Sequence, residues 1–139
     1  MNTNTTVRGA EVCERRVFPP GRLMQWPCKI NLVPTCAPYF DEADLLISAD
    51  CAAYALPKFH ELMKDKITLI GCALADAKTL REKLTAIIRE NDVRSITVAR
   101  LEVGCCGGIE LAARKALESS GKELPFRILT LSTSGKISE

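Results

Sequence analysis

Residues 95–120 read SITVARLEVGCCGGIELAARKALESS, and they decide the fold. The run 95–103 is rich in Ile, Val and Leu, as a strand buried in a parallel sheet must be. Beyond 108, Ile109, Ala112, Ala113, Ala116 and Leu117 recur on the helical period, which predicts a helix over 108–120. Gly121 then supplies the stop. A strand that passes through a glycine turn into an amphipathic helix is half of a βαβ unit.

The same alternation extends in both directions. Candidate strands lie at 29–34 (KINLVP), 44–49 (DLLISA), 66–71 (KITLIG) and 126–132 (FRILTLS). A first helix is predicted from Pro57 to about Lys64, with proline in its first turn. A second spans about 76–91, with Ala77, Leu80, Leu84, Ile87 and Ile88 on one face and Asp76 placed to cap it. Such alternation predicts right-handed crossovers and a mostly parallel sheet covered on both faces, a three-layer α/β domain of flavodoxin-like or Rossmann-like architecture over 29–139. Residues 1–28 carry Arg15-Arg16 and Pro19-Pro20-Gly21 but no sustained apolar period, so they are expected to form a poorly structured lead-in, pinned to the domain by Trp26.

Composition narrows the function. A net charge of +2 gives no basic field for nucleic acid, and no apolar run reaches the length of a membrane span. No P-loop or dinucleotide glycine fingerprint is present. The N-terminus has no secretory pattern, so a cytoplasmic protein is expected. Seven cysteines in a reducing compartment point to metal or thiol chemistry rather than disulfides.

Their positions sharpen the reading. Cys51 follows strand 44–49, Cys72 follows strand 66–71, and Cys105 and Cys106 follow strand 95–103. Parallel strands end at one edge, where open α/β folds build their sites. Strands lie about 4.8 Å apart, so thiols on adjacent strands should bring their sulfurs within about 8 Å of one another. Gly107 and Gly108 would let the backbone approach a bulky ligand. The helix that follows favours thiolates at Cys105 and Cys106. Four sulfurs suit tetrahedral zinc or a cubane cluster; without C-x-x-C knuckles the cluster fits better, with zinc as the alternative. Cys13, Cys28 and Cys36 read as incidental, His60 as packed or solvated, Asp50 as a site-tuning or turn-capping residue, and Tyr54 as a cluster shield or a core residue.

The segments WPCKINLVPTCAPYF, ADLLISADCAAYALPKFH, ITLIGC, IIRENDVRSITVARLEVGCCGG and SGKELPFRIL, within the stretch 26–138, carry a resemblance. They resemble the C-terminal domain of iron–sulfur proteins known as ferredoxins (4Fe–4S binding proteins) in anaerobic bacteria and archaea. The cysteines of ADC, GC and CCGG recur in that family, which implies that Cys51, Cys72, Cys105 and Cys106 bind the cluster. Residues 1–28 are too short and cysteine-poor for the N-terminal ferredoxin module of those proteins. Ala73, Leu74 and Gly104 stand where the family has proline, lysine and proline. The Cys72-to-Cys105 spacing is also similar to that in the CCG domains of heterodisulfide reductases, whose downstream C-x-x-C is absent here.

The expected function is electron transfer through one iron–sulfur cluster of the [4Fe–4S] type. The partner is a ferredoxin or an oxidoreductase, and an oligomer is allowed. The alternatives are a cluster-dependent reductase, or reductase subunit, acting on a small substrate or disulfide, and a structural zinc protein.

Overall fold

The computed structural model describes residues 22–139, apart from the side chains of 75–78 and of Cys105. Five strands form one sheet in the order β2-β1-β3-β4-β5. They are β1 (Asp44–Ala49), β2 (Ile67–Gly71), β3 (Ser95–Leu101), β4 (Phe126–Leu131) and β5 (Ile137–Ser138). The first four run parallel, and β5 returns antiparallel beside β4. The helices are α1 (Asp50–Ala55), α2 (Phe59–Leu62), α3 (Ala73–Glu90) and α4 (Gly107–Ser120). This is the mostly parallel α/β architecture that the alternating pattern predicts.

The core follows from that pattern. Strand β1 is central, and Leu45, Leu46 and Ile47 are fully buried, which explains its continuous apolar run. Helix α3 buries Leu80, Leu84, Ile87 and Ile88, and α4 buries Ile109, Ala113 and Ala116. Right-handed crossovers put α3 and α4 on one face of the sheet and α1 and α2 on the other. Gly121 closes α4 in the left-handed conformation, with φ of 77°.

Four expectations need correction. Residues 29–34 form no strand. Ile30 N–H reaches the Ile70 carbonyl, but the amides of Leu32 and Val33 turn back to the Lys29 carbonyl. Ile30 and Val33 are buried three positions apart, the spacing of a turn rather than of a pleat. The helix predicted from Pro57 to about Lys64 is a single turn, Phe59–Leu62, and a further short helix, α1, precedes the proline. Helix α3 begins at Ala73, so Asp76 lies inside its first turn rather than capping it. Trp26 is 76% exposed. Within residues 22–28 the buried Gln25 reaches the sheet, its Nε2 donating to the Thr68 carbonyl at 2.7 Å.

Candidate functional site

Strand order brings the cysteine-bearing junctions together. β1 lies between β2 and β3, with Ala49 paired to Gly71 and Ser48 paired to both Ile70 and Ala99. The residues after these strand ends therefore occupy one edge of three adjacent strands. The edge has a further property. The chain leaves β1 toward β2 but leaves β3 toward β4 on the other side, so β1 and β3 flank a topological switch point, where open α/β sheets form a crevice. Cys51 stands on one side of it and the Gly104–Cys106 turn on the other.

Each thiol is placed by a helix start. Cys51 is the second residue of α1, which leaves β1 without an intervening loop. Cys72 is the N-cap of α3 and Cys106 the N-cap of α4, so both sit where backbone amides point outward and favour negative charge. Cys106 is buried, Cys72 half-buried and Cys51 exposed, and all three are thiols rather than disulfides. The side chain of Cys105 lies outside the described residues; its backbone belongs to the short 3-10 turn Gly104–Cys106.

Cys51 senses its neighbours. The Cys51 thiol is pushed above its ordinary range, first by partial desolvation, then by the charge of Asp50 and a hydrogen bond to it, then by Cys106 and Cys72. The donors fit a soft metal or a cluster, both of which take thiolate sulfur. In this structure, no three Cys, His, Asp or Glu side chains among the described residues are gathered tightly enough to hold a metal ion.

The glycines have different jobs from those the sequence implied. A Cβ on Gly108 would lie 2.7 Å from the Ala73 Cβ, so Gly108 lets the starts of α3 and α4 pack in contact. It thereby sets Cys72 beside Cys106. A Cβ on Gly107 would meet only the Arg100 side chain, at 3.6 Å. Arg100 is the residue the sequence reading missed. Its Nε donates to the Leu101 carbonyl at 3.0 Å, and its Nη1 reaches Glu110 Oε1 at 3.2 Å. The available signal was an arginine near the end of a strand with a glutamate in the first turn of the next helix.

Cys36 lies apart from the site thiols, whereas Cys28 does not: Lys29 next to it bridges Ile70 of β2 and pairs with Asp50 at 3.8 Å. Cys36 is exposed between Thr35 and Ala37, which both bond the Asn91 side chain just past the C-terminal end of α3, at the opposite edge of the sheet. Cys28 runs alongside β2, its carbonyl accepting from Ile70 N–H. Cys13 lies outside the described residues. His60 is exposed, and its Nδ1 accepts from Arg22 N–H. Tyr54 is 94% exposed and so packs in no core. A cavity of about 330 Å³ runs between α3 and α4, with Ala73 and Gly108 at one end and Leu80, Leu111 and Lys115 along its walls. Among the described residues, no helix is long and apolar enough to cross a membrane.

An open parallel sheet with its crevice at the carboxyl edge defines a class, and sequence comparison agrees with it. Residues 37–139 match the family model of the Rossmann-like domain. The chain belongs to that family. It is also 32% identical over 114 residues to an uncharacterized protein of Archaeoglobus fulgidus, with 81% of each chain covered. No solved structure matches the chain.

Proposed function

We propose that this protein binds a thiolate-held metal centre, an iron–sulfur cluster of the [4Fe–4S] type, at its carboxyl sheet edge and serves as an electron carrier or redox subunit. The observation that carries this reading is the presentation of Cys51, Cys72 and Cys106 from three adjacent strand ends at the switch point. The resemblance of the ADC, GC and CCGG segments to cluster-binding ferredoxin domains supports it.

The roles of the residues follow from their positions. Cys51, Cys72 and Cys106 supply thiolate ligands, and Cys105 is the fourth. The first turns of α3 and α4 offer amides to the anionic centre, which favours thiolate and tunes a reduction potential. Asp50 opposes that effect by adding negative charge beside Cys51. A bound cluster supplies one-electron chemistry there. Tyr54, Leu74 and Val103 are exposed apolar residues, each within three positions of a site cysteine, and they form the rim a redox partner would cover.

The test is the metal content of protein purified without oxygen. Iron and acid-labile sulfide in near-equal amounts, with absorbance around 400 nm, would support the cluster. Stoichiometric zinc without sulfide would replace it with the zinc alternative. Apoprotein that takes up neither, after anaerobic reconstitution, would refute the metal reading.

A further inference from the structure

Arg100 and Glu110 stand on either side of the cysteine turn. Arg100 lies near the end of β3 and Glu110 in the first turn of α4; the side chains are 19% and 26% exposed. Between them run Leu101 to Ile109, including the turn Gly104–Cys106. Three backbone hydrogen bonds hold the turn. Glu102 N–H donates to the Leu131 carbonyl, Cys106 N–H to the Val103 carbonyl and Gly107 N–H to the Gly104 carbonyl. Arg100 reaches into this short series at both ends. Its Nε donates to the Leu101 carbonyl, its Nη2 lies 3.5 Å from the Val103 carbonyl, and its Nη1 pairs with Glu110 at 3.2 Å. The Val103 carbonyl therefore takes both the amide of Cys106 and the guanidinium of Arg100.

We infer that Arg100, locked by Glu110, is a positioning residue for the Cys105–Cys106 turn. It ties the carbonyl that fixes Cys106 to the first turn of α4. The inference uses the metal-centre reading for what the turn is for, but the clamp itself is a property of the protein without metal. The fork of a guanidinium is essential to it. Lysine at 100 keeps the charge but cannot reach Leu101, Val103 and Glu110 together from one ammonium. Arg114 also meets Glu110 at 3.2 Å, yet it is half exposed and its other partner is the Phe126 ring, away from the turn, which makes it a built-in control.

The test is the rate at which iodoacetamide alkylates Cys106 in the reduced, metal-free full chain, read by peptide mass spectrometry against Cys51 in the same sample. Cys106 is only 6% exposed, so its modification reports opening of the turn. Arg100→Lys and Glu110→Gln should each speed it about tenfold, the opening that follows loss of a charged hydrogen bond, while Cys51 changes less than about twofold. Arg114→Gln should leave Cys106 within about twofold of the starting chain. If Arg100→Lys leaves Cys106 protected, or Arg114→Gln exposes it as much, the clamp is overturned. Should Arg100→Lys fail to fold, Glu110→Gln carries the same test alone. Iron uptake separates the two readings. If the starting chain takes up no iron and sulfide while Cys106 opens as expected in the variants, the clamp stands and the metal centre falls. If the starting chain loads and the clamp variants lose iron severalfold faster, both stand.

Discussion

Ala73 and Gly108 meet across the starts of two helices, so closely that a Cβ on Gly108 would fall 2.7 Å from that of Ala73. Each is a near neighbour of a site thiol, Ala73 following Cys72 and Gly108 two residues after Cys106. The contact that packs the helices therefore also sets the spacing of those two thiols.

Gly108→Ala is accordingly expected to destabilise the protein. Alanine normally improves a helix by up to about 1 kcal/mol, but here overpacking should outweigh it and cost about 1–3 kcal/mol. Gly107→Ala meets only an ordinary contact at 3.6 Å and should be neutral or mildly stabilising. Denaturant titration of the two variants checks the sign.

A second expectation concerns the opposite edge of the sheet. Asp44 opens β1 and accepts from Arg94, at 2.7 Å, and from Ser95 at the start of β3. Those hydrogen bonds, Arg94 first, hold its carboxyl below the usual range despite partial desolvation. A depressed folded pKa means stability that is present above the unfolded value of about 3.9 and lost as pH falls through the folded one. Asp44→Asn should therefore cost about 1 kcal/mol at pH 7, and the cost should shrink as pH falls below about 3.9. Thermal unfolding across that range checks it.

Cys51 has the reverse sign. Its thiol is raised by desolvation, Asp50 and the neighbouring thiols, so the folded chain holds that proton longer than the unfolded one. The metal-free protein should lose stability as pH rises past the ordinary thiol value of about 8.5. Asp50→Asn removes the neighbouring charge that raises the thiol and should speed alkylation of Cys51 at pH 8 by roughly twofold to threefold. An unchanged rate would show that Asp50 does not act on the thiol.

How much of this was legible in the sequence varied with the kind of signal. β1 matches its expected span residue for residue, because an unbroken apolar run has one burial solution. The apolar face of α3 and the Gly121 stop were equally plain. α1 was hidden: Asp50-Cys51-Ala52 follows the strand with no turn residue, so a strand running straight into a helix reads as a loop. Lys29–Pro34 misled because Ile30 and Val33 look strand-like by composition, while their spacing belongs to a turn. The cysteines could be assigned to strand ends, but not to neighbouring ones, since strand order depends on which crossovers skip a strand. Gly108 was assigned to ligand approach because a glycine shows where space is needed and not what fills it. Arg100 is hard to read because two of its partners, the Leu101 and Val103 carbonyls, leave no mark in sequence, and its pairing with Glu110 across the turn shows only once the helix start is placed.

The most direct measurement is iron and sulfide bound per chain after anaerobic reconstitution of single-cysteine variants. Serine keeps the size of cysteine but is a poor ligand for soft metals, so loss reports coordination rather than packing. Cys51→Ser, Cys72→Ser, Cys105→Ser and Cys106→Ser should each lose most of their iron. Cys13→Ala, Cys28→Ala and Cys36→Ala should keep it. Full iron in Cys51→Ser, Cys72→Ser and Cys106→Ser, or losses as large in Cys36→Ala, would contradict a metal centre at the carboxyl edge of the sheet.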